Sequence, residues 1–258
     1  MVLFTSVHPV LQALVAGCFT WSITGLGALM VYFFKKPNQF VMDAMLGYAA
    51  GVMIAASCWS LLIPALELSN ELNTNSLVIV SLGFLSGGLL LFVIDQLFSL
   101  FSNKTQHKRS FMLITSITLH NIPEGLAVGV GFGSLSAGNG TSLASALLLT
   151  LGIGLQNFPE GTAVSVPLYR EGMSKRKSFF YGQLSGLFEP FSAMLGAYLV
   201  MNVQKILPFM LSFAAGTMIY VVVEELIPES QSNLKKDFMA LFTLLGFVTM
   251  MILDVLFN

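Results

Sequence analysis

The sequence predicts an all-α, polytopic membrane protein with eight transmembrane helices, in which spans 1–3 and 6–8 form an inverted repeat around a central proline-kinked pair, spans 4 and 5. Three observations predict it. Of 258 residues, 55% are hydrophobic and only 10% are charged, against about 25% charged in an ordinary soluble domain. Mean hydropathy is +0.80. Apolar runs of the length a helix needs to cross a bilayer, about 20 residues, recur along the whole chain. Residues 1–258 are therefore read as a single transmembrane domain, with short loops and no room for a soluble catalytic unit.

Apolar stretches between polar breaks place the spans at 10–34, 44–66, 77–101, 112–133, 143–168, 179–203, 206–226 and 238–257. Glycine and proline inside them are tolerated because neighbouring helices can re-satisfy the freed backbone groups. The Gly/Ser-rich piece 134–142 reads as a flexible connection. Loop 1 carries Lys35 and Lys36, and loop 3 carries Lys104, Lys108 and Arg109. Loop 5 carries Arg170, Lys175, Arg176 and Lys177, and loop 7 carries Lys235 and Lys236. Eleven of the twelve basic residues thus fall in odd loops, with Lys205 the exception. The positive-inside rule makes the odd loops cytoplasmic and both termini external, in a multi-pass protein of the cell membrane. The first run is too long for a signal-peptide core and has no basic residue before it, so no cleaved leader is expected. Ala49-Ala50-Gly51-Val52-Met53-Ile54 with a following Pro64 in span 2 matches Ala214-Ala215-Gly216-Thr217-Met218-Ile219 with a following Pro228 in span 7. The two spans enter from opposite sides, so the match reads as the trace of an inverted repeat, an architecture common in secondary transporters.

A net charge of −1 suggests neither nucleic-acid binding nor a polybasic anchor. Cys18 and Cys58 lie inside apolar runs as small core residues, and His8 and His107 read as solvated loop residues.

The informative residues are acids. Asp95, Glu124, Glu160, Glu189, Glu224, Glu225 and Asp254 fall within spans that contain no Lys or Arg. A charge at bilayer depth costs at least about 2.5–3.5 kcal/mol. Seven acids without a basic partner are not structural ion pairs; either they hold protons or a cation from solution compensates them. Asp95, Glu224 and Glu225 lie toward the cytoplasmic ends and Asp254 toward the outer end, where they can line the way in and out.

Two motifs concentrate the chemistry: His120-Asn121-Ile122-Pro123-Glu124-Gly125 in span 4 and Gln156-Asn157-Phe158-Pro159-Glu160-Gly161 in span 5. His120 and Glu124 are four apart and share a helix face, as do Gln156 and Glu160. Pro123 has no N–H for the carbonyl of Leu119, nor Pro159 for that of Leu155, so each kinks its helix beside the polar cluster. Counting about 1.5 Å per residue from the cytoplasmic end places His120 and Glu160 about 12 Å deep, and Glu124 and Gln156 about 18 Å deep. Met53 and Glu189 fall near the same level, so six potential ligands from four helices share one slab near mid-membrane. Imidazole, carboxylate, amide and thioether together suit a borderline cation such as Zn²⁺, with Cd²⁺, Fe²⁺ and Mn²⁺ as alternatives; Ca²⁺ and Mg²⁺ prefer oxygen alone. A metal-selective channel would use the same ligands as a carrier. An intramembrane zinc protease needs His-Glu-x-x-His, which the three histidines do not form; the chain is read as a non-enzyme without a catalytic cofactor.

These motifs, the Glu189-Pro190 pair, the eight spans and the outward termini resemble the ZIP (Zrt/Irt-like) family of divalent metal transporters, its prokaryotic branch above all. The resemblance implies zinc-preferring uptake into the cytoplasm by alternating access, a binuclear metal site, a homodimer, and an elevator-like movement of spans 1, 4, 5 and 6. It also implies ligand sets: Met53, His120, Gln156 and Glu160 at one metal position, and Asn121, Glu124, Asn157 and Glu189 at the other, with Glu160 able to bridge. Ser60 and Glu67 match positions near the outer entrance, and Glu225 one near the inner exit. Two amides depart from the family pattern: many members have His where this chain has Gln156, and some have Asp where it has Asn157. Neutral ligands there weaken the field felt by a second ion.

Overall fold

The computed structural model describes residues 7–33, 38–101, 108–135, 142–170, 172–202, 204–232 and 236–257. Among these residues the chain is helical throughout and contains no strand. The helices run as rods: α1 (Pro9–Tyr32), α2 (Gln39–Glu71), α3 (Ser76–Phe101), α4 (Lys108–Ser134), α5 (Leu143–Arg170), α6 (Lys175–Asn202), α7 (Leu207–Ser230) and α8 (Lys236–Phe257). All of these except α4 and α5 are long and apolar enough to cross a membrane. α4 and α5, of 27 and 28 residues, carry the polar motifs through their middles.

Local chemistry sets the ends. His8, read above as a bystander, accepts the Val10 N–H at 3.4 Å and starts α1, with Pro9 at the first helical position. Asn38 accepts from the Phe40 N–H at 3.0 Å and starts α2. Ser174 caps α6 by accepting from the Lys177 N–H. α2, α4 and the start of α6 outrun their apolar stretches, because hydropathy reports the lipid-matched part of a helix and a cap reports its end. Lys108, Arg109, Arg170, Lys175, Arg176, Lys177 and Lys236 consequently sit on terminal helical turns, at the end of the bundle we call the basic end. Lys35, Lys36, Lys104, His107 and Lys235 lie outside the described residues.

The largest departure is α2, where Pro64 does not end the helix. Residues Ser57–Leu62 form a π-helical turn in which the Ile63 N–H reaches back to the Cys58 carbonyl, and Pro64 then takes the second position of a new α segment, Ile63–Glu71. α7 does the same: Val222–Leu226 is π-helical, the Ile227 N–H bonds the Val222 carbonyl, and Pro228 follows at the second position of Ile227–Ser230. The widened turn accommodates the proline, which has no N–H to donate. Single π turns of this kind concentrate at functional positions, and here each follows one copy of the Ala-Ala-Gly motif.

Glycines divide the rods into two groups. A Cβ on Gly129 of α4 would overlap the Ala193 backbone of α6, and one on Gly161 of α5 would overlap the Thr24 backbone of α1. α1, α4, α5 and α6 are joined in this way. A Cβ on Gly51 of α2 would overlap the Thr243 backbone of α8, and one on Gly216 of α7 would overlap that of Phe84 on α3; these two pairs meet where α7 packs on the Ser57–Glu71 part of α2. Small residues let helices touch backbone to backbone where lipid supplies no hydrophobic drive. Among the described residues no glycine seam of this kind crosses between the groups; a Cβ on Gly152 of α5 would meet only the flexible Met250 thioether of α8. Met53, Met218, Val128 and Ile153 belong to the shared side-chain core.

Gly129→Ala and Gly51→Ala should each destabilise the detergent-purified protein by about 1–3 kcal/mol. Gly152→Ala should stay within about 1 kcal/mol, because a methionine side chain can swing aside. Thermal unfolding of the three variants reads the difference.

Candidate functional site

Pro123 and Pro159 lie inside α4 and α5, and the Glu-Gly that follows each proline builds the site. A Cβ on Gly125 would overlap the Glu189 carbonyl, so α4 lies directly on α6 and Glu124 sits beside Glu189. Gly161 does the same for α5 on α1 at Thr24, next to Glu160. In α6 the helix breaks at Gly186 and restarts at Phe188, with the Glu189 N–H on the Gly186 carbonyl at 3.0 Å. A Cβ on Gly186 would stand 2.7 Å from Glu189 Oε1, so its absence makes room for that carboxylate.

The side chains then interlock. Gln156 Nε2 donates to Glu124 Oε1, which agrees with the depth count that set these two residues level. Asn157 Nδ2 donates to Glu189 Oε2 at 2.8 Å and to the Thr20 carbonyl at 3.3 Å. Thr24 Oγ1 donates to Glu189 Oε1 at 3.2 Å, and Asn121 Nδ2 donates to the Ser185 carbonyl at 2.9 Å. Asn121, Glu124, Gln156, Asn157 and Glu189 have no exposure, and Glu160 has 3%. Glu160 and Glu189 lie within electrostatic reach of Glu124. Among the described residues no Lys or Arg pairs with any of these three acids.

Asn121 Oδ1, Glu124 Oε2, Gln156 Oε1, Asn157 Oδ1 and Glu160 Oε2 are buried without a hydrogen-bond partner among the described residues. The amide nitrogens are spent on protein acceptors and the oxygens are left over. Each unsatisfied buried acceptor costs about 1–3 kcal/mol, and native structures contain few of them. Five on two adjacent helices define a place to which no described residue brings positive charge or a further donor. Such a set of hard oxygens accepts a cation and repels an anion.

The remaining sequence-predicted residues are placed as follows. His120 lies on α4 one turn before Glu124, with its side chain outside the described residues. Met53 is fully buried on α2, in the other group of rods. Among the described residues no three His, Cys, Asp or Glu side chains converge closely enough to clasp a metal ion; the close contacts of the cluster pair acids with amides and hydroxyls. Ser60, Glu67 and Asp254 come together in a cavity of about 550 Å³ at the end opposite the basic one. Ser60 Oγ donates to Asp254 Oδ1 at 2.9 Å. Toward the basic end, Asp95 of α3 meets the Tyr220 hydroxyl of α7, and Glu224 and Glu225 occupy the π turn of α7. Glu225 is within electrostatic reach of Glu160.

Sequence reasoning missed Thr20 and Thr24, which α1 contributes to the Glu189 environment, and Glu71, which lines the cavity with Glu67. The signal was present: Thr20 and Thr24 are four apart, on a stripe with Gly17 and Gly27, and a search for buried charge passes over neutral hydroxyls.

The sequence profile described as "ZIP Zinc transporter" matches residues 104–254. Zinc transporter ZIP11 of Xenopus tropicalis is 36% identical, covering 96% of this chain and 97% of its own length. Zinc transporter ZIPB of Bordetella bronchiseptica is 33% identical over 94% of this chain and 80% of its own. Zinc transporter ZupT of Streptococcus mutans is 36% identical, with 81% and 83% covered.

Replacing Glu160 with Met removes an unpartnered buried oxygen at similar volume. It should raise the unfolding free energy of metal-free protein by about 1–3 kcal/mol, read by denaturant or thermal unfolding in the presence of a chelator.

Proposed function

The chain belongs to the ZIP zinc transporter family, and on that premise we propose that it carries Zn²⁺ through the buried polar cluster into the cytoplasm by alternating access. The observation that carries the proposal is the set of five buried oxygens without a partner among the described residues, beside three acids that no described Lys or Arg pairs. A divalent cation supplies the missing charge, and the spread of the oxygens over α4 and α5 leaves it loosely enough held to be released, unlike a closed structural zinc site.

In this reading Glu124, Glu160 and Glu189 neutralise the ion. His120 and Met53 add the softer nitrogen and sulfur that favour Zn²⁺, Cd²⁺, Fe²⁺ or Mn²⁺ over Mg²⁺. One metal position uses Met53, His120, Gln156 and Glu160. The other uses Asn121, Glu124, Asn157 and Glu189, and Glu160 bridges them. Gln156 at one position and Asn157 at the other are neutral, so the field available to hold two ions at once is weakened. The cavity with Ser60, Glu67 and Asp254 is the outer approach, and Asp95, Glu224 and Glu225 are the inner exit.

The glycine seams support a rigid-body mechanism. Apart from Met53, every ligand belongs to α1, α4, α5 and α6 or packs against them, and that group meets the other through side chains. Sliding it would carry the ion from one face to the other without breaking a backbone seam.

Radio-zinc uptake into proteoliposomes tests the proposal. His120→Ala and Glu160→Ala should each lower saturable uptake by more than about tenfold while protein remains in the membrane; normal uptake by both would refute the assignment. Gln156→His should lower KM and maximal rate together, because a tighter ligand slows release. Saturation at micromolar metal is the carrier's signature, and single-channel currents would replace the carrier with a pore.

A further inference from the structure

A second hollow lies away from the polar cluster. It is a crevice of about 780 Å³ between α1, α2, α5 and α8, so it straddles the boundary between the two groups of rods. Its floor is Ala44, Gly154 and Pro159, all buried. Its rim is Val41, Leu151, Leu155 and Leu245, which are 40–55% exposed. Phe158 and Pro159, which separate Asn157 from Glu160, form part of its wall, so the crevice backs directly onto the proline kink of α5.

Its chemistry narrows the occupant. Apart from the Tyr48 hydroxyl, the lining side chains are apolar, so an ion or a polar molecule would lose its water without compensation, and apolar hollows stay dry. An extended peptide would bring backbone N–H and C=O groups that nothing in the crevice satisfies. A helix from a second copy, about 10–12 Å across with its side chains, would exhaust a hollow of about 780 Å³ within about two turns. A hydrocarbon chain has no polar group to satisfy and bends to fit. The rim also opens onto the apolar outer surface of α2 and α8, spans long and apolar enough to cross a membrane.

We infer that this crevice holds one lipid acyl chain, lodged between the two groups of rods behind the Phe158-Pro159 kink. The inference rests on the membrane-spanning architecture and is independent of the metal assignment.

The test is photolabelling of the full chain in phosphatidylcholine vesicles doped with phosphatidylcholine that carries a diazirine in its acyl chain, with adducts mapped by peptide mass spectrometry. Adducts should concentrate on Met45, Leu151 and Leu155 in preference to Leu85 and Leu89 of α3, which are 66% and 60% exposed. Two separate substitutions fill the crevice from floor and rim, Ala44→Leu and Leu155→Trp. Each takes up the room of at least two methylenes and should cut crevice adducts by about tenfold, with α3 adducts unchanged. Adducts that follow exposure alike on α3 and α5, or that persist in both filled variants, would overturn the inference. If neither variant folds, the wild-type distribution decides it alone. The readout is chemical and does not pass through zinc flux, so its failure is separate from failure of the transport reading.

Discussion

Negative charge that no described residue counters is the constraint on which this structure turns. Glu124, Glu160 and Glu189 are buried together, and a charge at that depth is costly unless something compensates it. The fold answers only in part. Gln156 donates to Glu124, and Asn157 and Thr24 donate to Glu189, while five oxygens of the same cluster keep no partner among the described residues. A half-satisfied polar interior is worse than an apolar one when it has to stand alone. It becomes sensible when its last partner comes and goes, which is what a cargo cation does.

The surrounding architecture serves that cluster. Each motif places a glycine directly after its glutamate, and that glycine lets the helix lie on a neighbour's backbone, α6 for Gly125 and α1 for Gly161. The acids are thereby set by backbone contact, and backbone contact is stiff. Between the two groups of rods the contact is made by side chains, which can exchange partners at low cost. The polar residues flanking the cluster fall on or beside the two π turns: Ser60 within that of α2, and Glu224 and Glu225 within that of α7. A turn one residue wider than α-helix re-aims every side chain after it, so the same device shapes both approaches to the centre.

Much of this was legible in the residues. Lipid imposes a plain rule on a spanning helix, and each apolar stretch coincides with one rod to within two residues or lies inside it. The level pairing of Glu124 with Gln156 followed from helical rise alone and agrees with their hydrogen bond. What escaped notice escaped for physical reasons. The π turns change register by one residue, to which a hydropathy window is blind, and the prolines that follow the two Ala-Ala-Gly copies, Pro64 and Pro228, restart their helices after those turns. Thr20 and Thr24 carry no charge, so nothing marked them until Glu189 needed donors. His8 is exposed, as read, and its added capping role depends on where the helix begins, which composition does not reveal.

The most direct measurement of the central claim is the unfolding of the purified chain with and without zinc. If a cation supplies the charge that the cluster lacks, Zn²⁺ at a hundred times its dissociation constant should stabilise the fold by about 2.7 kcal/mol, and Mg²⁺ at the same concentration should leave it where chelator does. An unfolding midpoint that Zn²⁺ fails to move, or that both ions move equally, would contradict the account.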